Sequence, residues 1–107
     1  MKLQIEDQSL RVRIGEQELT ALLAGQDLEM RTEFAGAFAM RCRLSLGETA
    51  SLSGSAQAWH IVLPRPAAEA HVERLPTREG LHFQLGGALE LLFDVDVRDS
   101  VRQRKPR

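Results

Sequence analysis

The alternation of apolar and polar residues along most of this chain constrains its fold more than any other feature. A period of two places every second side chain on one face of an extended strand, whereas a helix needs a period near 3.6. Leu3 and Ile5 share a face, with Lys2, Gln4 and Glu6 opposite; Leu10, Val12 and Ile14 repeat the pattern against Arg11 and Arg13. Asp7-Gln8 reads as a tight turn that pairs Ile5 with Leu10 and Leu3 with Val12. A second hairpin sets Leu28, Met30, Thr32 and Phe34 inward against Phe38, Met40, Cys42, Leu44 and Leu46. Its loop, Ala35-Gly36-Ala37, pairs Phe34 with Phe38 and Met30 with Cys42, which sets Arg31 opposite Arg41 and Glu29 opposite Arg43.

Helical spacing interrupts this pattern twice. Leu19, Leu22 and Leu23 fall at i, i+3 and i+4 between Gly15 and Gly25, with Glu16 and Glu18 in the first turn, where the helix dipole favours acids. Pro66 suits the first turn of a second short helix with Ala67, Ala68, Val72 and Leu75 on its apolar side, ended by Pro76. Strands are expected at Ala50 to Ser55, around Trp59, Ile61 and Leu63, and along Leu81, Phe83 and Leu85. An eighth runs through Leu89, Leu91, Phe93, Val95 and Val97. A two-residue Gly86-Gly87 turn would put the last two apolar rows on opposite faces, because a slip of one residue flips every side chain. The expected loop is therefore the three-residue Gly86-Gly87-Ala88, with a glycine in the left-handed conformation.

The element order strand, strand, helix, strand, strand then occurs twice. Offsetting the halves by 49 residues aligns Val12 with Ile61, Ile14 with Leu63 and Leu23 with Val72. An offset of 51 aligns Phe34 with Leu85, Phe38 with Leu89 and Cys42 with Phe93. The expected fold is α+β: mostly antiparallel sheet of about eight strands, barrel-like or in two sheets, with two short helices and an internal ββαββ duplication. The expected core is Leu3, Ile5, Val12, Ile14, Leu23, Met30, Phe34, Met40, Leu44, Phe83, Leu91 and Phe93.

The run Met1-Lys2-Leu3-Gln4-Ile5, then Ser9-Leu10-Arg11-Val12-Arg13-Ile14, then Glu18-Leu19, resembles a family of short, uncharacterised bacterial proteins, a domain of unknown function. Those proteins open Met-Lys-aliphatic-Arg-Ile and continue Ser-aliphatic-Arg-Leu-Arg-Leu into a short helix. Val62-Leu63-Pro64, followed by an alanine-rich helix, is similar to that family's middle, so the likeness spans roughly the first 75 residues. Leu92-Phe93-Asp94-Val95 stands where the family carries Glu-Lys-Asp-Phe followed by Cys. The resemblance implies no activity.

With 107 residues, 43% hydrophobic and 27% charged, the chain has the size and composition of one soluble domain. That domain is expected over residues 1–97. Residues 98–107 hold five basic residues against one acid, and 102–107 have no apolar anchor, a basic tail expected to be disordered. A net charge of −1 and only five aromatic residues (Phe34, Phe38, Trp59, Phe83, Phe93) argue against nucleic acid as a partner. No run approaches the roughly 20 apolar residues that cross a bilayer. A single cysteine, and no continuous apolar stretch near Met1, lead to the expectation of a cytoplasmic protein.

Most catalytic and ligand-binding chemistries find no support. His60, His71 and His82 are evenly scattered without metal-ligand spacing, and Glu90, Asp94 and Asp96 read as a solvated strand face, so no metal is expected. Cys42 sits on an inward row and reads as a small hydrophobe. Ser51, Ser53 and Ser55 form a solvent-facing row without a nucleophile elbow. Phosphate-binding glycine loops are missing, and no cofactor is implied. Arginine carries what signal there is, as 12 of the 14 basic residues. Arg11 and Arg13 share one strand face, and Arg31, Arg41 and Arg43 share another. Guanidinium forks suit carboxylate and phosphate. The favoured expectation is a non-enzymatic module that binds a protein or an anionic ligand through these arginines. The alternative is a small ligand-binding barrel or enzyme, with a site between the two halves that uses His60, His82 and the arginines. Free sheet edges invite a homodimer.

Overall fold

A computed structural model of the chain describes residues 1–77 and 79–97. The tail expected at 98–107 lies outside the described residues. Among the described residues eight strands and two helices follow in the order β1 (Lys2–Glu6), β2 (Ser9–Gly15), α1 (Glu16–Leu23), β3 (Leu28–Phe34), β4 (Phe38–Gly47), β5 (Ser51–Ser55), β6 (Ala58–Pro64), α2 (Arg65–Glu73), β7 (Leu81–Gln84) and β8 (Glu90–Asp96). They form an α+β fold with two four-stranded sheets. Sheet A runs β1-β2-β8-β7 and sheet B runs β3-β4-β6-β5.

Three of the four hairpins, β1–β2, β3–β4 and β7–β8, close in the registers that the alternation implies. Leu3 pairs with Val12, Ile5 with Leu10, Met30 with Cys42, Phe34 with Phe38, and Phe83 with Leu91. The last loop spans three residues, with the Leu85 N–H donating to the Leu89 carbonyl at 2.9 Å and Gly87 at φ +70°. Of the two arrangements expected, two sheets and not a barrel are present, and the antiparallel expectation holds for four of the six ladders among the described residues. The central ladder of each sheet, β2–β8 and β4–β6, is parallel, and the sheets do not close into a barrel. Hairpins are local and visible in sequence. The seams join strands from different halves, and no local pattern encodes that.

Each helix carries the chain from one sheet to the other. Glu18 accepts a hydrogen bond from the Gly15 N–H at 3.0 Å and so satisfies a donor at the start of α1. Leu19 and Leu22 of α1 then join a single core with Leu10, Val12, Ile14, Cys42, Leu44, Ile61, Leu63, Leu91, Phe93 and Val95, which draws on both sheets. Leu3, Leu23, Met30 and Phe83 are only partly buried. Ile5 and Phe34, expected inside, are 65% and 62% exposed.

The registers explain Phe34. Val12 pairs with Phe93, and Ile61 with Leu44, so one offset of 49 relates both seams. The same offset relates the hydrogen bond from the Glu90 N–H to the Gln8 carbonyl to that from Arg41 to Gln57, and the first residues of the helices, Glu16 and Arg65. The offset of 51, drawn by aligning loops, is therefore corrected for β4 and β8. Relative to β7–β8, the β3–β4 hairpin is longer by two residues on each strand. That extension carries the stacked pair Phe34 and Phe38 (5.6 Å between rings) beyond the core.

Candidate functional site

The arginines singled out from sequence fall on two different sheets. On the outer face of sheet A, Arg13 grips Asp94 with both arms of its guanidinium, at 3.1 and 3.0 Å. Arg11 stands 4.0 Å from the same carboxylate. Both bridge the parallel seam between β2 and β8 and share Asp94 there. Half-exposed pairs of this kind contribute at most about 1 kcal/mol.

Arg31, Arg41 and Arg43 lie together on the outer face of sheet B, because strand alternation turns Met30, Met40, Cys42 and Leu44 to the core. Two rows of side chains cross this sheet. One runs Glu29, Arg43, His60, Ser53, and the other Arg31, Arg41, Ala58, Ser55. Between the rows the floor is backbone, at Met30, Cys42, Trp59 and Gly54, and a groove of about 700 Å³ opens there. A second hollow of about 490 Å³ lies on the far side of the Arg31–Arg41 row, which is thus a ridge between two concavities. The groove crosses the β4–β6 seam, where the halves of the chain meet.

The charges in the two rows differ in how they are held. Arg43 is fixed by Asp27 at 3.7 Å and donates to His60 Nδ1 at 3.3 Å. His60 Nε2 lies 2.9 Å from Ser45 Oγ. Arg31 and Arg41 face each other in register and, among the described residues, make no side-chain hydrogen bond or ion pair. Like charges placed opposite cost a few tenths of a kcal/mol or more.

The Ser45–His60 contact looks like part of a nucleophilic dyad but is wired in reverse. A histidine that activates serine keeps its proton on the nitrogen away from the hydroxyl. Here that nitrogen, Nδ1, faces the Arg43 guanidinium, which can only donate. His60 therefore carries its proton on Nε2 and donates it to Ser45, which is itself buried. The arrangement orients Arg43 and does not activate Ser45.

The remaining candidates are dispersed. His82 is on sheet A, 3.8 Å from Glu90, so of the two histidines of the alternative reading only His60 joins the sheet B arginines; His71 is buried on the inner side of α2. Among the described residues no group of three or more His, Cys, Asp or Glu could hold a metal ion. Cys42 is enclosed, and burial pushes its thiol pKa up, away from reactivity. Among the described residues no helix is long and apolar enough to cross a membrane. Sequence reasoning missed the Asp27–Arg43–His60–Ser45 chain. Alternation places His60 and Arg43 each on an outer face, but only the parallel β4–β6 ladder makes them neighbours. No protein-family model matches the chain, and no characterised protein matches it either.

Proposed function

We propose that this protein is a non-enzymatic anion-binding module that takes a carboxylate or phosphate group in the sheet B groove, between Arg31 and Arg41 on one wall and Arg43 on the other. The observation that carries this reading is the ridge itself. Two guanidinium groups face each other with no ion pair among the described residues, beside a hollow that Glu29 also lines, at a cost to stability. An anion seated there offsets the repulsion and satisfies fork geometry that one acidic side chain would not. The Arg43–His60–Ser45 chain supports the reading by holding the third guanidinium in place before a ligand arrives. The small side chains of Ser53 and Ala58 leave room for the uncharged part of the ligand toward β5 and β6.

The test is a titration with pyrophosphate and with citrate at constant ionic strength, followed by amide chemical shifts. Shift mapping separates a site from the general salting-in or salting-out of the surface. Saturable shifts confined to β3, β4 and β6 are expected. Arg41→Gln should abolish them and leave the fold as stable as before, or more stable by a few tenths of a kcal/mol. Arg11→Gln, on the other sheet, should leave the titration unchanged. Shifts that never saturate, or that persist in Arg41→Gln, would overturn the proposal.

A further inference from the structure

The β3–β4 hairpin ends in an apolar finger that nothing among the described residues covers. Residues 33–39 are all exposed, and Phe34-Ala35-Gly36-Ala37-Phe38-Ala39 is six apolar residues in succession. The finger extends β3, which among the described residues is an edge strand hydrogen-bonded on one side only. An edge of this length with apolar residues is a template for another strand.

We propose that a second copy of this chain pairs antiparallel with β3, about a twofold axis through Thr32. The side chains select that register. With Thr32 on the axis, Arg31 meets the partner's Glu33 and Glu33 meets the partner's Arg31. On the opposite face, Phe34 packs on the partner's Met30, and the reverse. A register two residues to either side faces like charges: Arg31 on Arg31 in one direction, Glu33 on Glu33 in the other. A shift of four toward Leu28 restores Glu29 against Arg31 but leaves Phe34 without an apolar neighbour. Thus a single register satisfies both faces of the strand and covers part of the finger.

Two other edges are poorly suited. β7 has only four residues, and β5 is bent at Gly54, where φ is +111°. β1 is also short, and its Lys2 and Glu6 make it the surface to discriminate against. The dimer would join two sheets into one of eight strands, with the two arginine grooves on a common face. The pairing goes beyond the anion reading and does not depend on it. In the dimer Arg31 is shared with the partner's Glu33, whereas Arg41 lies one strand further in and keeps its place at the groove.

Sedimentation equilibrium of the whole chain over a concentration series tests this, with circular dichroism to confirm that each variant is folded. The wild type should show a monomer–dimer equilibrium. Glu33→Arg, which sets arginine against arginine twice by symmetry, should raise the dissociation constant about tenfold. The exchange Arg31→Glu with Glu33→Arg should restore the dimer. A monomer at every concentration, a dimer indifferent to Glu33→Arg, or an exchange variant that stays weakened would each overturn the proposal. So would a dimer broken by Lys2→Glu instead, since that places the interface on β1.

Discussion

His71 is a histidine in a place built for leucine. It is 2% exposed, and the offset that relates the two seams puts it where Leu22 stands in α1. Its ring meets the edge of Phe93, with centroids 6.3 Å apart, and Nδ1 lies 3.5 Å from the Arg74 guanidinium. Nε2 is buried with no hydrogen-bond partner among the described residues. Loss of solvation lowers its pKa below the ordinary 6.5, the Arg74 charge lowers it further, and the Asp94 carboxylate opposes both. The folded protein therefore holds His71 neutral where the unfolded chain is protonated. Stability falls as pH drops through about 6.5 toward the lower folded value, and above 6.5 this residue adds no pH dependence. His71→Leu should raise stability by about 1 kcal/mol at neutral pH, since it removes an unsatisfied buried group. Its advantage should grow under acid conditions. Urea unfolding at pH values on either side of 6.5 measures both effects. An unchanged slope with pH would assign the acid sensitivity to another group.

At the scale of elements, hairpins are legible because their information is local. Pairing across two or three residues makes the register a matter of which rows of apolar side chains share a face. That reasoning places the Gly86-Gly87-Ala88 loop and sets Arg31 opposite Arg41 before any tertiary contact is considered. Alternation says which way a side chain points and not how far the core extends, and so Phe34 and Ile5 read as core residues but stand outside it. The β5–β6 hairpin holds a feature that alternation does not anticipate. Gly54 adopts φ +111°, and a Cβ there would run into the Ala58 carbonyl across the turn. Gly54→Ala should cost about 1–3 kcal/mol, as for other side chains forced into sparsely populated backbone regions. A thermal melt reads the loss, and a neutral result would mean that the hairpin tip is free to rearrange.

At the scale of the whole molecule, neither half has a sheet of its own. Each sheet combines one hairpin from residues before the midpoint with one from after it, joined at a parallel seam. The halves should therefore unfold together. Ile14→Ala and Leu63→Ala, at related seam positions and both fully buried, should each cost about 2–5 kcal/mol. Each should lower the same calorimetric transition, without exposing a second one. A split transition in either variant would show that the halves are separable. The candidate site follows the same logic. The sequence by itself determined the strands, most of the turns, three of the four hairpin registers and the outward set of the three sheet B arginines. These depend on near neighbours and on a side-chain period of two. Only the tertiary structure decided that the central ladders are parallel, that Arg11 and Arg13 are tied to Asp94 on the other sheet, and that His60 comes to orient Arg43 beside the groove. Those contacts join strands far apart along the chain. Hydrophobic burial drives the sheets together, but it is non-directional. Alternation shows which residues seek a partner but cannot name the strand that supplies it.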